Sequence, residues 1–216
     1  KIAFCSGEVW QNLDEKIFQS FSSKRKPKKL VPLKPYKHKR KIIKNGFNHY
    51  LTDNNSRGRM IMPCGTGKSL TAFWIAEKMD SKRILIAVPS LALIRQTLQV
   101  WLRETYAKGW DADWITVCSD ETVSKIKSDD LAVLTQDLGI PAVTDPEIIA
   151  KWLRKRRSGK SIVFTTYQSG KAIAEASKLA RRNFDLGIMD EAHKTVGSKD
   201  KQYAHLLFDK NIKIKK

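Results

Sequence analysis

Apolar positions fall along this chain in two rhythms. Short runs that are apolar almost throughout, Arg59–Met62, Arg83–Val88, Trp114–Cys118, Ser161–Thr165 and Phe184–Met189, predict strands. Unbroken rather than alternating apolar character is what a strand covered on both faces requires. Between these runs the spacing changes to three and four. Leu70–Met79 predicts one helix. Leu91, Ile94, Leu98 and Trp101 share one face of a second, with Ser90 placed as its N-cap. Thr144 or Asp145 caps a third that runs to Arg157, with Pro146 in its first turn. Lys171–Arg182 predicts a fourth, with Ala172, Ala176 and Leu179 turned inward. Strands alternating with helices predict an α/β fold built on a doubly wound, mostly parallel sheet.

The flanks are less regular. Trp10, Leu13, Ile17 and Phe21 share a helical face, and Ser22–Lys29 is a charged linker. Residues 1–30 therefore read as a helical extension with a basic linker, and residues 31–216 as one α/β domain. Ile43, Phe47 and Tyr50 predict a helix weakened by Gly46. Asp120–Val143 has the least periodicity and predicts a surface insertion. Gln202–Phe208 predicts a short helix, and Ile212 and Ile214 begin one more strand.

Candidate chemistry sits at the ends of two strand runs. Pro63, Cys64, Gly65, Thr66, Gly67, Lys68, Ser69 and Leu70 lie between the first strand and the first helix. A triphosphate needs donors from many directions at once. Glycines let backbone N–H groups turn inward, and the helix behind them aims its unpaired N–H groups at the same anion. Lys68 is placed to reach the β- and γ-phosphates, and the Ser69 hydroxyl to hold Mg²⁺. The full pattern G-x-x-x-x-G-K-[ST] would put glycine at position 62, where Met62 stands; the short form survives from Gly65 to Ser69. Asp190 and Glu191 end the last strand run, 122 positions beyond Lys68 for the aspartate. Asp190 is placed to bind Mg²⁺, and Glu191 to orient or deprotonate the attacking water. His193 either couples this strand to its neighbour or caps a turn. Lys68, Asp190 and Glu191 are the candidate catalytic residues, and ATP with Mg²⁺ the candidate cofactors.

Charge adds a partner to this picture. There are 41 Lys and Arg against 22 Asp and Glu, a net +19. Residues 24–44 hold eleven basic residues and no acidic one, and residues 151–160 hold six more. The stretch 111–147, with nine acidic residues and two lysines, shows that the charge is placed rather than uniform. A polyanion is the expected partner. Cys5, Cys64 and Cys118 form no pair with metal spacing, which fits a reducing cytoplasm. No apolar run approaches the ~18 residues of a membrane span, so no membrane role is expected.

The two motifs together resemble the nucleotide-binding and DEAH-type motifs of superfamily-2 helicases and translocases. Val88–Thr97 and Phe164–Ser169 resemble the two segments that in that family touch the nucleic-acid backbone. The resemblance implies a RecA-like lobe, and it makes Arg95, Gln96, Thr165, Thr166 and Tyr167 candidates for contact with the tracking strand. The series Val117–Thr122, Val143–Glu147, Thr166–Ser169 and Asp190–Thr195 is similar to the helicase segment of type ISP-like restriction-modification enzymes. That family often carries a glutamine after a Pro-Tyr pair, which helps read adenine; here Pro35-Tyr36 is followed by Lys37, and Tyr36 is left as the candidate base contact. The resemblance further implies DNA as partner, duplex before single strand, and a second RecA-like lobe that this chain ends before. Residues 1–216 alone are then expected to turn ATP over very slowly. An RNA helicase lobe, or a nucleotide-gated DNA-binding scaffold without turnover, stands as the alternative.

Overall fold

The computed structural model describes residues 30–63, 65–118, 142–192, 205–206 and 209–216. The predicted N-terminal extension, most of the predicted insertion, and most of the predicted helix at Gln202–Phe208 lie outside the described residues.

Five strands form one sheet, β1 (Arg83–Val88), β2 (Ala112–Val117), β3 (Ala142–Val143), β4 (Lys160–Thr166) and β5 (Leu186–Met189), in the order β3-β2-β4-β1-β5. Every ladder is parallel. The helices are α1 (Lys37–Phe47), α2 (Lys68–Lys78), α3 (Leu91–Lys108), α4 (Pro146–Arg154) and α5 (Gly170–Ala180). The alternation along β1 shows why both faces are covered. Ile84, Ile86 and Val88 join a core with Phe73, Trp74, Leu98 and Trp101 from α2 and α3. Leu85 and Ala87 join the opposite core with Ile149, Leu153, Ile173 and Ala176 from α4 and α5. This is the doubly wound arrangement that the apolar runs predicted.

Local chemistry sets the helix starts. The Ser90 hydroxyl accepts from Leu93 N–H at 3.4 Å, and the Asp145 carboxylate accepts from Glu147 N–H at 2.7 Å with Pro146 at the first helical position. Of the two caps offered at α4, Asp145 is the one used.

Four expectations are corrected. Arg59–Met62 is not a strand: it joins no ladder, and Ile61 is 85% exposed. An apolar run becomes a strand only when a neighbour accepts its N–H groups, and residues 212–216 touch the sheet further down, with Ile214 bridged to Phe184. Leu179 is exposed, and α5 instead buries Ile173, Ala174, Ala176, Ser177 and Ala180. Helix α4 stops at Arg154 rather than Arg157. Ala142 and Val143, assigned to the insertion, pair with Thr116 and Val117 as β3.

Candidate functional site

Parallel strands bring all their carboxyl ends to one edge, where open α/β sheets place their ligands. The turn at Asp190 after β5, the start of α3 after β1 and the turn at Tyr167 after β4 therefore share that edge. The loop before α2 joins them.

The loop is held open by its own backbone. Gly65 and Gly67 take φ of +72° and +75°, which a side chain would resist. The Thr66 hydroxyl donates to Pro63 O at 2.7 Å and closes the turn. Gly67 is the N-cap of α2 and has no side chain to spend on the helix's first N–H groups, which stay directed at the loop. Lys68 crosses to the other motif: its ammonium donates to Glu191 Oε1 at 2.8 Å, across 123 positions of sequence. Both side chains keep about a quarter of their surface, 27% and 21%. The Ser69 hydroxyl is buried with no hydrogen-bond partner among the described residues. A buried polar atom without a partner is costly, and so it points to a missing ligand.

The acidic pair is tightly placed. Asp190 N–H donates to Ala87 O at 2.9 Å, anchoring the end of β5 to β1. Glu191 N–H donates to its neighbour's carboxylate, Asp190 Oδ1, at 3.0 Å. Glu191 sits at φ +53°, a region that a non-glycine residue occupies only when the surroundings force it. That conformation turns Glu191 back toward Lys68. Tyr167 OH donates to Asp190 O at 2.8 Å. Burial, and then the charges of Asp190 and Glu191, push the Tyr167 hydroxyl well above its ordinary pKa, so it stays a neutral donor.

The remaining candidates separate into two groups. Arg95 and Gln96 are exposed in the first two turns of α3, free to meet a polymer. Thr165, Thr166 and Tyr167 have no exposed surface. The Thr165 hydroxyl donates to Val117 O at 3.0 Å, Thr166 Oγ1 shares a hydrogen with Ser169 Oγ at 3.2 Å, and Tyr167 serves Asp190. In this conformation Thr165 ties β4 to β2, Thr166 bonds within the turn that follows, and Tyr167 alone reaches the acidic pair. Tyr36 is 72% exposed and lies parallel to the His38 ring at 6.0 Å. Its segment is pinned from behind: the buried Glu104 carboxylate accepts from Leu33 N–H at 3.0 Å, and Arg103 donates to Val31 O at 3.2 Å. Lys37 is exposed, whereas Lys39, two residues on, is buried against the loop. Sequence reasoning missed Lys39, because nothing in a lysine-rich stretch tells which lysine a neighbouring helix will cover. Leu70 opens α2 half-buried. Cys64 and His193 lie outside the described residues.

Comparison with known proteins agrees with the fold. The family model described as "Type III restriction enzyme, res subunit" matches residues 32–215. Probable helicases of African swine fever virus are 29% identical over 156 residues, which is 72% of this chain and 16% of theirs. Among solved structures, the ATP-dependent type ISP restriction-modification enzyme LlaBIII bound to DNA superposes with a TM-score of 0.71 at 28% identity. That match covers 86% of this chain and 12% of that one. A nuclease-deletion mutant of the type ISP enzyme LlaGI, in complex with a DNA substrate mimic, gives 0.65 at 28% identity over 85% of this chain and 17% of that one. The expected helicase-type α/β lobe is borne out. The chain spans about a sixth of the length of the helicase relatives.

Proposed function

Since the chain belongs to the family of the type III restriction enzyme res subunit, we propose that it is the nucleotide-binding motor lobe of a DNA helicase or translocase in a restriction enzyme. The observation that carries this reading is the 2.8 Å contact between Lys68 and Glu191, which brings the phosphate loop and the acidic strand end into one site. A nucleotide entering the loop meets N–H groups freed by Gly65 and Gly67 and the amino end of α2. Its phosphates compete with Glu191 for the Lys68 ammonium. As Lys68 turns to the phosphates, Glu191 is released to take a proton from water, so binding itself arms the base. The strained backbone of Glu191 and the Tyr167 bond to Asp190 hold the pair in register for that exchange. Ser69 and Asp190 fit a magnesium ion: one is a buried hydroxyl without a partner, the other a carboxylate at a strand end. Such an ion would neutralise charge on the phosphates.

Arg95 and Gln96 are the residues we assign to the polymer, as contacts to its backbone that carry no base information. DNA is favoured because the two restriction enzymes to which this fold is similar are complexed with DNA or a DNA mimic. A second RecA-like lobe completes the site in the intact protein and supplies the arginine that stabilises charge on the transferred phosphoryl group.

ATP hydrolysis by the intact protein, measured with duplex DNA, single-stranded DNA, RNA or no polymer, tests this. Turnover stimulated by duplex DNA and lost in Glu191→Gln is the expected result. Stimulation by RNA alone would move the protein to RNA, and turnover that survives in Glu191→Gln would remove Glu191 from the mechanism.

A further inference from the structure

Lys39 is a buried lysine to which the mechanism above gives no task. It is the third residue of α1, and only 7% of it is exposed. Its ammonium lies 5.7 Å from the centroid of the Trp74 ring on α2, near the outer limit (about 6 Å) at which a ring face attracts a cation. It also lies 2.7 Å from the point where a Cβ on Gly67 would stand, which places it against the last glycine of the phosphate loop. Among the described residues it has no hydrogen bond and no ion pair. Lys160 shows how this fold buries a lysine that has a structural role. Its ammonium donates to Asp80 Oδ1 at 3.0 Å and to Ser81 O at 2.9 Å while resting 4.6 Å from the Trp110 centroid. Lys39 has the ring and lacks the acceptors.

With no acceptor of its own among the described residues, the ammonium keeps its donors for an anion that arrives beside Gly67. The loop beside Lys39 is built for anions, and its other cation, Lys68, is already engaged with Glu191. Resting on the nucleotide reading of this site, we propose that Lys39 is a second phosphate-binding cation of the loop. It donates to the phosphate chain of the bound nucleotide beside Gly67, while Lys68 serves the phosphates from within. Its place against Gly67, rather than with the exposed rings of Tyr36 and His38, favours the phosphates over the base. The glutamine position of the related enzymes is held by Lys37, which faces solvent.

The test is binding of ATP, ADP and inorganic tripolyphosphate to the intact protein and to Lys39→Met, Lys39→Arg and Lys68→Ala. Methionine keeps the stem and removes the charge. Lys39→Met is expected to raise Kd about tenfold for all three ligands alike, as the loss of one charge-assisted hydrogen bond does. Lys39→Arg should restore most of the affinity. Without ligand, Lys39→Met should melt close to the wild type, since the methionine keeps the stem beside Trp74 and no ion pair among the described residues is lost; a purely structural lysine would give a clear drop. Unchanged affinity for all three ligands overturns the proposal. So does a loss confined to ATP and ADP with tripolyphosphate unaffected, which would make Lys39 a base contact. If Lys68→Ala weakens binding and Lys39→Met does not, only the Lys39 assignment fails. If neither weakens it, the nucleotide reading fails with it. Should Lys39→Met not fold, acylation of lysines in the wild type, read by mass spectrometry, decides: tripolyphosphate must shield Lys39, and an unshielded Lys39 overturns the proposal.

Discussion

The two ends of the same sheet are built to opposite specifications. At the amino end several charges have counterparts within the fold. Asp185 accepts from Arg83 N–H at 2.9 Å, from Lys82 N–H at 3.2 Å and from the Lys215 ammonium at 2.8 Å. Lys160 is shared between Asp80 and Ser81, and Asp111 takes the Ser158 hydroxyl at 2.8 Å. Arg157 is clasped by Asp113 and donates to Trp152 O. At the carboxyl end the bonding is left incomplete. Ser69 has a buried hydroxyl without a partner, and Lys39 an ammonium without an anion among the described residues. The first end is largely bonded to itself, whereas the second keeps groups that the proposed nucleotide would use. On that reading stability is drawn mainly from the first and function from the second. Substitutions at the two ends should show opposite signatures.

The largest effect is expected at the carboxyl end. Lys68→Ala removes the charge that moves between Glu191 and the phosphates, and ATP turnover by the intact protein should fall by roughly 10²–10³. Its melting temperature should barely change, because a pair as exposed as Lys68–Glu191 contributes about 0–1 kcal/mol. A large loss of stability with retained turnover would reverse the assignment of this end to function.

The mirror case is Gly159→Ala at the amino end. A Cβ there would stand 2.1 Å from Asp111 O, a backbone atom that cannot swing aside as a side chain can. The β2 and β4 starts must part, at about 1–3 kcal/mol by analogy with overpacked interiors. Chemical denaturation should register that loss, while ATP affinity stays that of the wild type at temperatures where the variant is folded. Equal damage to affinity would mean that the two ends are not separable.

These two ends were not equally legible in the sequence. The candidate residues Lys68, Ser69, Asp190 and Glu191 stood out because the proposed phosphate binding imposes a spacing on neighbouring residues, and a strand end imposes another. The strands β1, β2, β4 and β5 were readable because covered strands are apolar throughout. Three features depend on contacts between distant segments and left no local mark. Arg59–Met62 has a strand's composition and no partner to make it one. Thr165, Thr166 and Tyr167 carry the right residue types for backbone contacts, and their burial follows from the order in which β2, β4 and β5 meet. Lys39 is one of several lysines in its stretch, and only the packing of α1 on α2 selects it. Two residues, Ala142 and Val143, are too few for any periodicity to show, so β3 was missed.

The smallest expected effect is also the most specific to the amino end. Burial alone would raise the Asp185 carboxyl, but the Lys215 ammonium and the Arg83 and Lys82 N–H groups outweigh it and hold it below the ordinary carboxylate value of about 3.9. A carboxyl whose folded pKa is depressed stabilises the fold above its ordinary value and loses that contribution as pH falls through the folded one. Asp185→Asn keeps an acceptor for the N–H groups and deletes the charge, so it should cost about 1 kcal/mol or less at neutral pH. The gap in melting temperature between wild type and variant should stay level while pH remains above the ordinary carboxylate value and close as pH falls through the depressed folded one, where the wild-type carboxyl takes up its proton. A gap that does not narrow with acid would mean that shape rather than charge holds β5 to the start of β1. ATP affinity should be unaffected throughout, because Asp185 precedes β5 and lies a strand length from Lys68 and Glu191.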